Sequence, residues 1–270
     1  MANLTDPARE IAEICARLDV PSGERGDEFL AKQFEVETWS RDFYLIVFCI
    51  VERIQFLKGI IEKLDIDSDF QAEAIQHVLA IQAAFHTSGF ANAWNVHGQH
   101  HVGAANAQPL KMLSPMVRQL ASYPSLDDDE RADLLSDVND LCSWLKEHQL
   151  REQDFIRQAL IEGLEQLAFR IGRLKWVGWG YSLESLKEVI GAYFALERTN
   201  PTAADNPDAE AVLRKVSSFC KVFYEKAKFG KDVVEVGDFA LRMYGAIAMA
   251  RTLPEGVVGL LTQAISTASS

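Results

Sequence analysis

Phe43, Val47, Ile50, Ile54, Leu57, Ile61 and Leu64 follow one another at intervals of 4, 3, 4, 3, 4 and 3 residues. An α-helix completes a turn every 3.6 residues, so these side chains share one stripe. In the first half of this stretch the other faces are apolar too, through Tyr44, Leu45, Ile46, Phe48, Cys49 and Val51. A helix that is apolar all round is covered on all sides. The pattern therefore predicts a central buried helix near 40–64. It enters the middle of a bundle and leaves at the rim after Glu52, where the stripe narrows. The same a/d spacing could zip two chains together, but the apolar start favours an intramolecular core.

Strand alternation is almost absent from the rest of the chain, and helical spacing recurs. Asp6 and Pro7 read as N-cap and first residue of a helix with Ile11, Ile14 and Leu18 inward. A short helix is expected over 27–37. Asp67 and Ser68 open another, with Phe70, Ala74, Val78, Ile81 and Phe85 on its stripe. Leu110–Leu120 reads as a shorter helix kinked near Ser114 and Pro115. The acids Asp127, Asp128, Asp129 and Glu130 suit the positive end of a helix dipole and read as a helix start. Residues 152–174 carry the stripe Ile156, Leu160, Leu164, Leu167, Ile171 and Leu174. The run from Trp176 to Tyr181 breaks it, and Ser182 reads as the next cap. A polar loop over 199–207, a helix through Val212, Val216, Phe219 and Phe223, a brief extended piece at 233–236 and helices near 238–251 and 255–266 complete the chain. The expected fold is all-α, a multi-helix bundle of about nine or ten helices. It forms either a single domain over 1–270 or two packed subdomains with a weak boundary near 123–125.

At 270 residues with 48% hydrophobic and 24% charged side chains, the composition is that of an ordinary folded protein. Met1 to Pro7 lacks the basic and apolar regions of a signal peptide. The longest purely apolar run, 43–51, is too short to span a bilayer, which needs about 20 residues. Cys15, Cys49, Cys142 and Cys220 form no CxxC pair and read as reduced core residues. Together these features predict a cytoplasmic protein with no membrane partner. The net charge of -12 falls mostly on the first half and repels phosphate backbones, which disfavours general nucleic-acid binding.

One segment departs from this composition. Residues 74–110 hold no Asp, Glu, Lys or Arg, where about nine would be expected by proportion. The segment carries five of the six histidines, His77, His86, His97, His100 and His101. Its second half, 86–109, is rich in Gly, Ala, Asn and Gln. A charge-free stretch of this kind is expected to pack against something: the core, a second subunit or a ligand. His97 and His101, four apart, would share a helical face and could ligate Zn²⁺. His100 could act as acid or base. Against a metal stand the absent carboxylate ligand and the helix-weakening Gly98 and Gly103. His77, beside Ala74 and Ile81, reads as a hydrogen-bonded core histidine.

A second segment interleaves cations and aromatics: Arg170, Arg173, Lys175, Trp176, Trp179 and Tyr181. Such a patch can stack bases or grip phosphates, and it keeps a local anionic-ligand or nucleic-acid site open. Its plainer reading is a solvated helix end with tryptophans turned inward. Lys221, Lys226, Lys228 and Lys231, with Phe223, Tyr224 and Phe229, repeat the pattern.

P-loop, Rossmann, nucleophile-elbow, HExxH and ExxH signatures are all missing. So is the Arg-to-His spacing of four to six residues used by many helical ribonucleases. The expected function is therefore that of a non-enzymatic interaction or regulatory protein. It would self-associate or bind a protein partner through 86–109, with Trp94 and Asn95 as candidate binding residues; exposure of Trp94 and the His cluster would support this, and no cofactor is expected. The alternative is a metal-dependent or His acid/base hydrolase, using His97, His100 and His101 in a pocket closed by Trp94 and Asn95, on a small-molecule or nucleotide substrate.

Overall fold

The computed structural model describes residues 4–150, 153–199 and 207–227. The expected extended piece at 233–236 and the helices near 238–251 and 255–266 lie outside the described residues, as do Lys228, Phe229 and Lys231. The architecture is all-α. Two compact units divide the chain: Met1–Ser125 with Arg173–Tyr181, and Leu126–Gly172 with Ser182–Ser270.

The first unit opens with β1 (Leu4–Thr5), which pairs antiparallel with β2 (Tyr123–Pro124). Between them run α1 (Pro7–Leu18), α2 (Gly26–Phe34), α3 (Arg41–Ile61), α4 (Ser68–Ala83), the short turns α5 (Thr87–Ala91), α6 (Trp94–His97) and α7 (Gln99–Val102), and α8 (Ala104–Leu120). The one-turn helix α11 (Leu174–Val177) joins them from later in the chain.

Asp6 caps α1 as its sequence suggests, accepting from Arg9 N at 3.0 Å. Its carboxylate is fully buried, and burying an ion without partners is costly. Ser114 Oγ donates to it at 2.6 Å and Arg118 Nη2 at 3.2 Å, both from α8. The cap thus also fastens α1 to α8. That α8 starts at Ala104 rather than near 110, and runs through Pro109 and Pro115, is a difference from the expectation. Extended backbone at Gly103 (ψ 170°) starts it, and α1 gives it an apolar neighbour along its length.

In α3, Ser40 caps the N-terminus through Phe43 N. The helix packs on α1, α2, α4, α8 and α11. It buries Phe43, Ile46, Cys49, Ile50, Arg53, Ile54, Leu57, Ile60 and Ile61. It is central in its unit, yet not covered all round. Tyr44 (55% exposed) and Phe48 (56% exposed) point outward. The buried face also contains an arginine. Arg53 donates through Nη1 to the Trp176 carbonyl and through Nη2 to Glu10 Oε2, both at 2.6 Å. This fastens α11 and α1 to α3. Gly178 (φ +81°) lies against the guanidinium, where a Cβ would come within 2.4 Å of Arg53 Cζ. Only glycine meets both demands cheaply.

The second unit contains α9 (Asp128–Glu147), α10 (Asp154–Gly172), α12 (Trp179–Thr199) from Ser182 onward, and α13 (Pro207–Ala227). Asp127 and Glu130 form a reciprocal capping box at the start of α9, so the run of acids does open a helix. α9 packs on α10 and α13. Gly163 of α10 lets Val189 of α12 approach, with Val189 Cγ2 only 3.0 Å from the site of a Cβ. The expected break over 176–181 narrows to Gly178: α12 begins at Trp179, and Ser182 is buried inside the helix rather than capping it.

All four cysteines are buried. Burial pushes the Cys15 and Cys220 thiols up to about 12, which removes the thiolate and with it the reactivity. Among the described residues no helix is long and apolar enough to cross a membrane.

Candidate functional site

The charge-free segment folds as three short helical turns leading into α8. Trp94 pins it. The indole is fully buried, stacked on Phe29 with ring centroids 4.8 Å apart. Its Nε1 donates to the Leu18 carbonyl at 3.0 Å, at the C-terminal end of α1. Its backbone N donates to Glu24 O, and Asn95 N to Ser22 O, both at 2.9 Å. Gly98 seals the far side, where a Cβ would fall 2.1 Å from the Trp94 ring. Trp94 is therefore not exposed, and the support that an open indole would lend an interface reading is absent. Trp94 is an anchor, because a two-ring apolar side chain with one N–H is best placed where a single carbonyl meets it in the core.

The outward side of the segment is different. His86, Thr87, Ser88, Ala91, Asn92, Asn95, Val96 and His97 are exposed, as are His100, Ala104, Ala105 and Gln108. This surface is solvent-facing and holds no Asp, Glu, Lys or Arg.

The histidines sit as follows. His100 and His101 rings lie 3.8 Å apart. His101 is held below the ordinary imidazole range, first by burial and then by the neighbouring His100, His86 and His97. His77 Nδ1 meets Asn106 Oδ1 at 3.0 Å, and Asn106 Nδ2 donates to the His101 carbonyl at 2.9 Å. His77 is thus hydrogen-bonded as its sequence setting suggests, but half-buried rather than in the core. Among the described residues no three His, Cys, Asp or Glu side chains converge as a metal-ligand set. His97 and His101 fall on different turns, α6 and α7, interrupted by Gly98, so the single-helix geometry assumed for ligation is not formed.

The lowered pKa of His101 has a sign. The unfolded chain binds a proton at 6.5 and the folded chain only at lower pH, so stability rises with pH through that window. Acidification from pH 7 to below the folded value should lower the unfolding midpoint. The His101→Asn variant should lose part of this slope. Denaturant titrations across pH 4.5–7.5 measure it, and an unchanged slope contradicts the assignment.

In the basic-aromatic segment the two tryptophans are not open to solvent. Trp176 (2% exposed) and Trp179 (1% exposed) are buried, and Trp176 meets Phe34 edge-on at 5.0 Å. Arg173 Nη2 pairs with Asp42 Oδ2 at 3.2 Å and Lys175 Nζ with Glu35 Oε1 at 3.1 Å. Arg170 belongs to the second unit. Trp176 and Trp179 thus face inward, and Arg173 and Lys175 already have carboxylates, which weighs against these residues as a surface for stacked bases.

A different cluster emerges beside the neutral segment. Trp39 (44% exposed) lies within 5.3 Å of Phe43, 5.7 Å of Tyr44 and 5.8 Å of Phe90, measured between ring centroids. Phe90 belongs to α5, so the aromatic group on α3 is continuous with the charge-free surface. Phe48 lies one turn beyond Tyr44 and extends the exposed row. Trp39 adopts left-handed backbone (φ +61°), uncommon for a bulky residue. Its Nε1 donates to buried Asp27 Oδ2 at 2.9 Å, which holds the ring where it is. Sequence reading missed Trp39, Tyr44, Phe48 and Phe90. The available signal was Tyr44 and Phe48 at i and i+4, off the a/d stripe. Comparison with protein-family models, with curated proteins and with solved structures finds no match.

Proposed function

We propose that this chain is a non-enzymatic helical interaction protein that self-associates through the first unit. The contact would join the outer side of 86–95 to the aromatic row Trp39, Tyr44, Phe48 and Phe90. One observation carries the reading: exposed aromatic rings, continuous through Phe90 with a surface that has no Asp, Glu, Lys or Arg. Aromatic anchors with few charges at the centre are the compositional mark of an interface core. Charge also favours a second copy as the partner. Two molecules of net charge -12 repel across most of their surfaces. A neutral face is the one they can bring together, and a surface without sign is electrically self-complementary, as a two-fold contact requires.

Sedimentation over a concentration series tests this. The unmodified protein should show concentration-dependent association. Phe48→Glu should weaken it by about 30-fold or more, the cost of removing an interface anchor and placing a charge in the patch. A chain that stays monomeric at every concentration overturns the reading, as does a Phe48→Glu variant that associates normally.

The hydrolase alternative has one observation in its favour: His101 kept neutral beside His100, as a general base requires. Turnover of a nitrophenyl ester that vanishes in His100→Ala and His101→Ala would support it over the first reading.

A further inference from the structure

The second unit contains a groove of about 470 Å³ between α9 and α13. That volume lies within the range of small-molecule sites. Its apolar lining includes Leu141 and Trp144 on α9 and Phe219 and the exposed Val222 on α13. Leu141 and Trp144 are three residues apart, and Phe219 faces them from the other helix. Trp144 is fixed in place. The His148 ring stacks on it with centroids 3.8 Å apart, and His148 Nδ1 lies 2.7 Å from the Trp144 carbonyl.

The charges around this apolar surface are segregated by helix. Asp137 and Asp140 come from α9, Arg214 and Lys215 from α13. Lys215 Nζ stands 4.9 Å from the Trp144 ring centroid, so a cation sits directly at the aromatic wall. Lys215, Arg214 and Asp140 are all exposed and therefore able to turn toward a ligand. A purely anionic ligand would meet the two carboxylates, and a purely cationic one the two basic groups. A molecule carrying both charges on an aromatic body satisfies all three surfaces at once.

We propose that this groove binds a small aromatic zwitterion of the amino-acid type. The carboxylate pairs with Arg214 and Lys215, the ammonium faces Asp137 and Asp140, and the ring packs on Leu141, Trp144 and Phe219. The proposal is independent of the self-association reading, since it rests on the second unit alone.

Three probes separate its elements by calorimetric titration of the full chain: L-tryptophan, tryptamine, which lacks the carboxylate, and indole-3-propionate, which lacks the ammonium. For a ligand of this size an affinity on the order of 0.1–1 mM is expected for tryptophan. Each singly charged analogue should bind at least about tenfold more weakly, the usual scale for losing one charge-assisted contact. Lys215→Glu and Asp140→Asn should each weaken tryptophan, and Lys215→Glu should abolish its advantage over tryptamine. Both changes are on exposed helix positions, and an unchanged thermal midpoint confirms the fold. Equal affinity for all three probes overturns the proposal, as does the absence of tryptophan binding at 10 mM or full binding in Lys215→Glu.

Discussion

Trp94→Ala should destabilise the first unit by about 3–5 kcal/mol, the usual cost of emptying a buried tryptophan site. Whole domains are stable by only about 5–15 kcal/mol, so the effect is large. It should also be local in character. The indole is what holds 86–102 to α1 and α2, through the stack on Phe29 and the bond to Leu18. Amide exchange over that segment should rise before the rest of the unit opens. Trp94→Phe keeps most of the packing and loses the N–H donor, for which about 1 kcal/mol is expected. Urea denaturation measures all three states. An alanine variant within a few tenths of a kcal/mol of the parent would mean that the segment is held by something else.

Arg53→Ala should cost a similar amount, about 3–5 kcal/mol, for a different reason. The ion pair with Glu10 is largely withdrawn from water, at 8% and 13% side-chain exposure. Removing the guanidinium leaves a carboxylate with little solvent and the Trp176 carbonyl without that donor. Arg53→Lys should not rescue, because one ammonium cannot reproduce the forked contact with two acceptors. The double replacement Arg53→Met with Glu10→Leu should recover much of the loss, since no charge is then stranded. A double-mutant cycle read from denaturation midpoints gives the coupling. If the double variant is as unstable as the sum of the singles, the pair is not what makes Arg53 important.

Local signals in the sequence carried the fold. Asp6, Ser40, Asp67 and Asp127 each cap a helix through a bond to a backbone N–H two or three residues on, and such signals need no distant partner. What depends on partners was harder to read. The start of α3 is apolar on every face, so periodicity offers no contrast between covered and open sides and places Tyr44 and Phe48 in the core, where the fold leaves them exposed. Arg53 was legible in principle, as one charge set among Ile46, Cys49, Ile50 and Leu57. Trp94 falls in a segment whose lack of charge predicts packing, but which way it points is decided by Phe29 and Leu18. The cations Arg173 and Lys175 looked available because Asp42 and Glu35 lie 131 and 140 residues away. The groove between α9 and α13 has no signature along the chain at all, because its two walls meet only after the second unit has folded.

The first unit is not contiguous in the chain: residues 126–172 separate its main body from Arg173–Tyr181. During synthesis, at about 5–20 residues per second, that gap is a wait of roughly 2–10 s. Throughout it the nascent body holds a deep cationic side chain whose carbonyl acceptor has not yet been made. Truncation after Ser125 would freeze the chain in that unfinished condition, so the natural cut for an autonomous fragment does not fall at the first crossing between units.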